Sequence, residues 1–404
     1  MKSHLNKIKA LGAISLLVLF AACENETAPS LFDPNVTSNP APVINNLSPA
    51  SGSLAGVGVV TIAGANFASN KADNFVYFDK LSAEVLEASP TQLKVKAPVL
   101  VKDSIQVRLA VSKAEKFSNT MLYKLEAAVS EPVKFQSFEE PWGIACDANG
   151  EVYVSMVVNA LAAGVKKIVA GKLNDYAPRG TELKYSAMKF GPGGVIYAAR
   201  IVRAVFQIPA AGAAPAVFVS SANGMDGTIY DLDFDAGKNI WAAGNNDFIY
   251  RVKLDKNTKR FAFRANVRSV RVFDNYLYLA GNRDGLEKVW RLRLLSADSL
   301  GAEEEYFNYS ATPAGARGTG VFAITFASDG DMYLGTDASE AIFVVHPNKT
   351  FEPLYPGLFV PKSLVFAWGK GTELYVTRER FGSAAQTLVK INTQKTSAPY
   401  YGRQ

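Results

Sequence analysis

The chain has 404 residues, of which 48% are hydrophobic and 11% aromatic, so its composition excludes a disordered protein and leaves room for more than one folded domain. Its 43 basic and 37 acidic residues give a formal net charge of +6, which does not demand a polyanionic partner. The cysteines are Cys23 and Cys146 and the histidines are His4 and His346, which excludes a disulfide framework and a multi-histidine metal centre.

The N-terminus carries the pattern of an export signal. Lysines precede an apolar run from Leu11 to Ala22 that is too short to span a bilayer comfortably. The segment from Leu19 to Cys23 resembles a bacterial lipobox. This resemblance implies that residues 1–22 are a lipoprotein signal peptide and that Cys23 is acylated, which would anchor the protein on a membrane. A plain signal peptide, or an uncleaved anchor with an incidental cysteine, is the alternative.

Residues 23–41 are predicted to be the lipidated cysteine and a flexible tether, because Pro29, Pro34 and Pro40 lie there among polar residues. Glu24 and Glu26, directly behind the cysteine, resemble the export tag that sends some lipoproteins to the outer face of an outer membrane. We therefore expect a lipid-anchored outer-membrane protein that faces the cell exterior. That location argues against nucleic acid as a partner.

Residues 42–128 alternate with the two-residue period of β-strands and have Gly and Pro breaks between the strands, which predicts a small Ig-like β-sandwich. The stretch from Val43 to Gly52, followed by Val60 to Phe67, resembles the IPT/TIG module. In that family the module is usually a spacer or an interaction domain, so the resemblance implies no chemistry.

Residues 131–404 contain a repeat in which an apolar strand, a Gly or polar turn and an aliphatic-aromatic strand follow one another. The spacing of the aromatic residues, 37 to 55 residues apart, is typical of a four-stranded propeller blade and predicts an all-β, six-bladed β-propeller. The long interval holding Ser296 to Gly320 is interpreted as a loop insertion; a seventh blade is the alternative, although the interval lacks the turn and aromatic of the repeat. Val133 to Gln136 is the candidate for the strand that closes the ring. The repeated aromatics are Tyr153, Tyr197, Trp241, Tyr278, Tyr333 and Tyr375, and the five tyrosines among them are expected to pack between blades.

The segment from Pro141 to Asp147 is the clearest example of a resemblance to NHL and SMP-30-like propellers. In such folds, polar loops and inner-strand starts gather around a central channel, which is a concave place for ligands. Aromatic rings beside amides, carboxylates and guanidinium groups suit a sugar, whose C–H faces stack while its hydroxyls form hydrogen bonds. The candidate ligand-binding residues are Trp142, Arg200, Tyr230, Asn245, Asn282, Arg283, Phe322, Asp337 and Arg378.

Three functions are compatible with this sequence. The first is ligand binding, with a polysaccharide as the expected ligand, because the architecture resembles accessory lipoproteins of Sus-type glycan uptake systems that work beside an outer-membrane transporter. The second is an SMP-30-like lactonase or a lyase, whose divalent ion, for instance Ca²⁺, would be held by Asn245, Asn282, Asp337 and Glu340. The third is an envelope scaffold. The sequence contains no recognisable nucleophile with a positioned base, so we assign no catalytic residue and favour binding.

Overall fold

The computed structural model describes residues 37–359 and 362–403. The predicted signal peptide, the predicted acylation site at Cys23 and the predicted tether up to residue 36 lie outside these residues. The regular elements of the described ranges are β-strands and short 3-10 helices, and none of them is a helix long and apolar enough to cross a membrane. The described chain divides into two compact units, the first holding residues 37–48, 61–95 and 106–122, and the second holding residues 49–60, 96–105 and 123 onward.

The N-terminal strands alternate between buried and exposed side chains, as the sequence predicts. In β7, Ile105, Val107 and Leu109 are buried while Gln106 and Arg108 are exposed. The hydrogen-bonded order is β1-β3-β6-β5-β4-β7-β8-β2, with β2 parallel to β8. The strands are β1 (Val43–Ser48), β2 (Ser53–Ala55), β3 (Val59–Ala65), β4 (Asn74–Phe78), β5 (Leu81–Ser89), β6 (Gln92–Lys96), β7 (Lys102–Val111) and β8 (Met121–Ala127), with a 3-10 helix at Lys71–Asp73.

The remaining chain forms four-stranded antiparallel sheets and one seven-stranded sheet. The first two sheets are β10 (Glu139–Cys146), β11 (Val152–Val158), β12 (Leu161–Val169) and β13 (Lys172–Ala177), then β14 (Ala187–Phe190), β15 (Ile196–Ala199), β16 (Ala204–Ile208) and β17 (Ala216–Ser220). The seven-stranded sheet is β18 (Asp231–Phe234), β19 (Ile240–Ala243), β20 (Asn245–Val252), β21 (Thr258–Phe273), β22 (Tyr276–Arg283), β23 (Leu286–Ser296) and β24 (Ser299–Asn308). The last two are β25 (Val321–Phe326), β26 (Met332–Thr336), β27 (Ile342–Val345) and β28 (Phe351–Pro353), then β29 (Ser363–Trp368), β30 (Glu373–Arg378), β31 (Thr387–Asn392) and β9 (Val129–Ser130). Short 3-10 helices lie at Pro192–Gly194, Ser221–Asn223, Tyr309–Ala311, Gly315–Arg317 and Tyr401–Arg403.

The seven-stranded sheet is continuous because β21 is 16 residues long. Residues 258–266 of β21 pair with β20, and residues 266–273 pair with β22. The interval from Ser296 to Gly320, predicted as a loop insertion, is instead largely regular. It contains β24, which pairs with β23, and two 3-10 helices.

The sheets have a propeller-like arrangement, because the strands that begin each sequence repeat lie side by side in a closed cycle. These first strands are β10, β14, β18, the second half of β21, β25 and β29, and β29 lies against β10 again. The predicted closing strand is wrong. Val129 and Ser130 pair with Ile391 and Lys390 of β31, whereas residues 133–136 form no strand.

The repeated aromatics pack between neighbouring sheets, as predicted. Tyr153 and Tyr197 each meet the aromatic that ends the first strand of the next sheet, with centroids 4.9 Å apart for Tyr153 and Phe190 and 5.4 Å for Tyr197 and Phe234. Tyr375 lies in one buried cluster with Cys146, so the last sheet also packs on the first. Such edge-to-face contacts, together with area burial, hold neighbouring sheets together.

Candidate functional site

One cavity lies where the first strands begin, and we call it the first-strand cavity. Its volume is about 300 Å³, and each of the six first strands lines it at an equivalent position of the repeat. These equivalent residues are Trp142, Ser186, Tyr230, Arg268, Phe322 and Leu364. Because the first strands form a closed cycle, this cavity lies at the centre of the ring rather than between two sheets.

Aromatic rings with cations stacked on them form the cavity wall. The Lys184 Nζ lies 2.9 Å from the centroid of the Trp142 ring. On the other side, the Lys362 Nζ lies 4.0 Å and the Arg268 Cζ 4.9 Å from the centroid of Phe322. Cations held this close to ring faces are attracted by the negative face of the π-system, so the rim combines apolar rings with positive charge.

We call the three cations stacked on these rings, Lys184, Lys362 and Arg268, the rim cations. They differ in whether they have a carboxylate partner. Arg268 donates to both Glu287 carboxylate oxygens at 2.7 and 3.0 Å and to the Val321 carbonyl at 2.7 Å. Although burial opposes it, these hydrogen bonds hold the pKa of Glu287 below its usual range. Lys362 pairs with Glu379 at 3.0 Å. Lys184, in contrast, has no carboxylate within ion-pair distance among the described residues.

A buried ion pair forms the floor of the first-strand cavity. The Arg271 Nη1 donates to the Asp231 Oδ2 at 2.9 Å, and both side chains are at most 5% exposed. The same carboxylate accepts hydrogen bonds from the Ser269 Oγ and from the backbone N–H groups of Leu232 and Val270. Both oxygens of the Asp231 carboxylate therefore accept hydrogen bonds from protein donors, which is what makes a buried charge tolerable.

Two further buried charged residues, Lys189 and Asp233, occupy the same position of the repeat as Arg271. Burial, reinforced by Arg271, lowers the pKa of Lys189 to about 8, and burial raises the pKa of Asp233. A void of about 10 Å³ borders both residues, enough for a single water. The C-terminal segment closes this end of the channel, because the Arg403 Nη1 donates to the carbonyls of Cys146, Asp147 and Trp368 at 2.8–3.2 Å.

The structure brings three of the sequence-predicted ligand residues together, since Trp142, Tyr230 and Phe322 all line the first-strand cavity. Arg200 is paired with Glu182. The remaining predicted residues do not belong to the cavity lining within the described ranges. They lie at or just after the ends of the strands that pair with the first strands, and therefore beside the starts of the first strands. They are Asn245, Asn282, Arg283, Asp337 and Arg378.

Two predicted arginines have partners of their own. Arg283 donates to both carboxylate oxygens of Glu303 at 2.6 and 3.1 Å and stacks on Trp290. Arg378 donates to the Ala385 carbonyl at 2.8 Å and lines a different pocket of about 280 Å³. Neither of these two arginines lines the first-strand cavity.

The four residues proposed as metal ligands are engaged in separate local hydrogen bonds. Asn282 donates to Glu287 at 2.8 Å, Asp337 accepts from the Gly320 N–H at 2.7 Å, and Glu340 accepts from a backbone N–H at 3.3 Å. The hydrogen bond at Asn245 involves its main chain, because the Thr228 Oγ1 donates to the Asn245 backbone carbonyl at 3.0 Å. Within residues 37–359 and 362–403, no three His, Cys, Asp or Glu side chains are grouped closely enough to hold a metal ion.

Several cavity residues were not predicted from the sequence. Ser186, Arg268 and Leu364 occupy the same repeat position as the aromatics, but only alignment of the repeats by strand register identifies them. Charged residues inside otherwise apolar first strands, such as Lys189 between Met188 and Phe190, were a visible signal for the buried charges.

Comparison with known families assigns the N-terminal part of the chain. Residues 42–125 match the model of the IPT/TIG domain. This segment is an IPT/TIG domain. The match confirms the resemblance seen in the sequence and leaves the propeller-like region outside it. Comparison with curated proteins found no match.

Solved structures resemble most of the chain at low sequence identity. A protein of unknown function from Bacteroides thetaiotaomicron superposes with a TM-score of 0.51 at 15% identity, covering 89% of this chain and 99% of the other. An auxiliary nutrient binding protein from the same organism gives 0.48 at 11% identity, with 89% and 98% coverage. A streptogramin B lyase gives 0.47 at 14% identity, with 65% and 97% coverage. At 15% identity, the likeness to the first of these structures shows the fold alone.

Proposed function

We propose that the propeller-like region is a six-bladed β-propeller in which two blades share β21. Residues 258–266 would be the outermost strand of the third blade and residues 267–273 the innermost strand of the fourth. The closed cycle of six first strands supports this count, and so does the pairing of each half of β21 with a different neighbour. In a propeller, four strands per blade are the norm.

We propose that the protein binds a polysaccharide segment in the first-strand cavity. The observation that carries this proposal is that Trp142, Tyr230 and Phe322, from three different first strands, line one cavity of about 300 Å³. That volume lies at the lower end of the usual range for small-ligand sites. Ring faces on the wall would stack on the C–H faces of a sugar.

The setting of this binding function is inferred from the N-terminus. We propose that Cys23 is acylated and holds the protein on the outer membrane, facing outward, where it serves as an accessory of a nutrient uptake system with a transporter as partner. The lipobox-like segment from Leu19 to Cys23 supports the anchor. Mass spectrometry of the membrane-extracted protein tests it, because an unmodified N-terminal thiol would contradict the anchor.

Calorimetric titration of residues 24–404 with a panel of polysaccharides, with and without calcium, tests the binding function. We expect Trp142→Ala and Phe322→Ala to weaken binding by roughly 30-fold, about 2 kcal/mol, as expected for central aromatic contacts. Phe75→Ala is the matched control, because Phe75 is an exposed ring in the IPT/TIG domain. Absence of binding to every polysaccharide, or binding that is insensitive to both cavity substitutions, would contradict the proposal.

A further inference from the structure

The first-strand cavity presents more hydrogen-bond donors than acceptors. Its one lining carboxylate within the described residues is Asp231, whose oxygens already accept from Arg271, Ser269 and two backbone N–H groups. The cavity therefore offers no free acidic group to a cation or to a hydroxyl donor. This polarity differs from that of a calcium site, which needs several oxygen ligands.

Donors without acceptors lie along the same wall and floor. The Trp142 Nε1–H and the Arg271 Nε–H have no hydrogen-bond partner among the described residues, and Arg271 is 3% exposed. The buried Lys189 Nζ, which borders the void of about 10 Å³ rather than this cavity, also has no acceptor. These atoms are buried, so they add positive polarity to the surroundings of the cavity without being contact points for a ligand.

Lys184 is the rim cation whose charge is not neutralised. The other two rim cations, Arg268 and Lys362, have carboxylate partners, while Lys184 is stacked on Trp142 and has none in the described parts of the chain. Glu140 and Glu379 act on Lys184 only at longer range, and burial lowers the pKa of its ammonium group. An anion beside this ammonium group would replace solvation that the cavity has removed.

We propose that the ligand of the first-strand cavity is an acidic glycan, whose sugar rings carry carboxylate or sulfate groups, and that the Lys184 ammonium, held on the Trp142 ring, binds this charge while the sugar packs against the aromatic wall. This inference rests on the proposed glycan-binding function and narrows its substrate class. Lys184 is a specificity-determining residue in this arrangement, because a neutral sugar would still meet the aromatic wall but would leave the ammonium unpaired.

Matched pairs of oligosaccharides test the charge requirement. Oligogalacturonate and its fully methyl-esterified form differ in the carboxylate charge, and carrageenan oligosaccharides and their chemically desulfated form differ in the sulfate groups. In calorimetry with residues 24–404, we expect the acidic member of at least one pair to bind roughly tenfold or more tightly than its neutral counterpart, with an affinity that falls as salt rises. The pair that shows the preference identifies the acidic group.

Lys184→Gln should remove this preference, so that the acidic and neutral members of the pair bind with affinities within about twofold of each other. Lys288→Gln is the matched control. Lys288 lies on β23, pairs with Glu305 of β24 and does not line the cavity. Equal binding within both pairs, binding of neutral polysaccharides alone, or an unaltered preference in Lys184→Gln overturns the acidic-ligand inference and leaves the binding function standing. If no glycan of any kind binds, both proposals fail.

Discussion

Removing the Asp231 carboxylate should destabilise the propeller-like region more than any exposed substitution. In Asp231→Ala, the Arg271 guanidinium stays buried without its counter-charge, and three further donors lose their acceptor: the Ser269 Oγ–H and the N–H groups of Leu232 and Val270. Breaking a buried ion pair on one side typically costs about 3–5 kcal/mol. We expect a loss of that size in the free energy of unfolding.

Urea unfolding followed by tryptophan fluorescence measures this loss without interference from the IPT/TIG domain. All four tryptophans, Trp142, Trp241, Trp290 and Trp368, lie in the propeller-like region. Asp175→Ala is the control, because Asp175 is an exposed partner of Lys166 and its removal should change stability little.

The double variant Asp231→Ala/Arg271→Met sharpens this test. Replacing both buried charges with apolar groups is often close to neutral, so the second substitution should recover much of the lost stability. A loss below about 1 kcal/mol in the single variant, or a double variant no more stable than the single one, would refute the reasoning that the floor of the cavity depends on this charge pair.

Three further predictions concern groups outside the cavity wall. Burial raises the pKa of Cys146 to about 12, so in a Cys23→Ser protein the Cys146 thiol should react with Ellman's reagent only after unfolding, and fast reaction of the folded protein would contradict its burial. The hydrogen bond to Asp331 raises the pKa of His346 above its usual 6.5. The native protein should therefore be more stable than His346→Gln below about pH 6.5, and this difference in the free energy of unfolding should disappear as the pH rises through the folded-state pKa. A difference that grows with pH would have the wrong sign. Arg403→Ala removes three hydrogen bonds that join the C-terminal segment to the first and last sheets, so urea unfolding should show a loss of about 1.5–3 kcal/mol, and an unchanged midpoint would contradict the closing role.

The fold could be predicted from the sequence where local patterns repeat. The turn and the aromatic of each repeat mark the second strand, and rings such as Tyr153 and Tyr197 pack between sheets as expected. The period-two alternation in β7 likewise identifies a strand of the IPT/TIG domain. In these places local propensity and tertiary packing favour the same structure.

The sequence was less informative where pairing partners are distant. Val129 and Ser130, rather than Val133 to Gln136, complete the last sheet, and the choice depends on pairing with β31, about 260 residues away. The continuity of β21 was not predicted, although no Gly or Pro interrupts Thr258 to Phe273. Local pattern identifies a long strand but does not tell which neighbours each of its halves pairs with.

Part of the candidate site follows from residue type together with position in the repeat. Trp142, Tyr230 and Phe322, chosen as aromatics near the starts of inner strands, line one cavity in the structure. Lys184 was missed, because its importance comes from its position on the Trp142 ring and from the absence of a nearby carboxylate partner in the described residues. Such relations belong to the folded chain and leave no local pattern.

A crystal structure of residues 24–404 soaked with the polysaccharide fragment that binds most tightly in calorimetry tests the central claim most directly. The account predicts a sugar ring in the first-strand cavity, stacked on Trp142 or Phe322, with an acidic group beside the Lys184 ammonium. A fragment bound elsewhere with the first-strand cavity empty would contradict it.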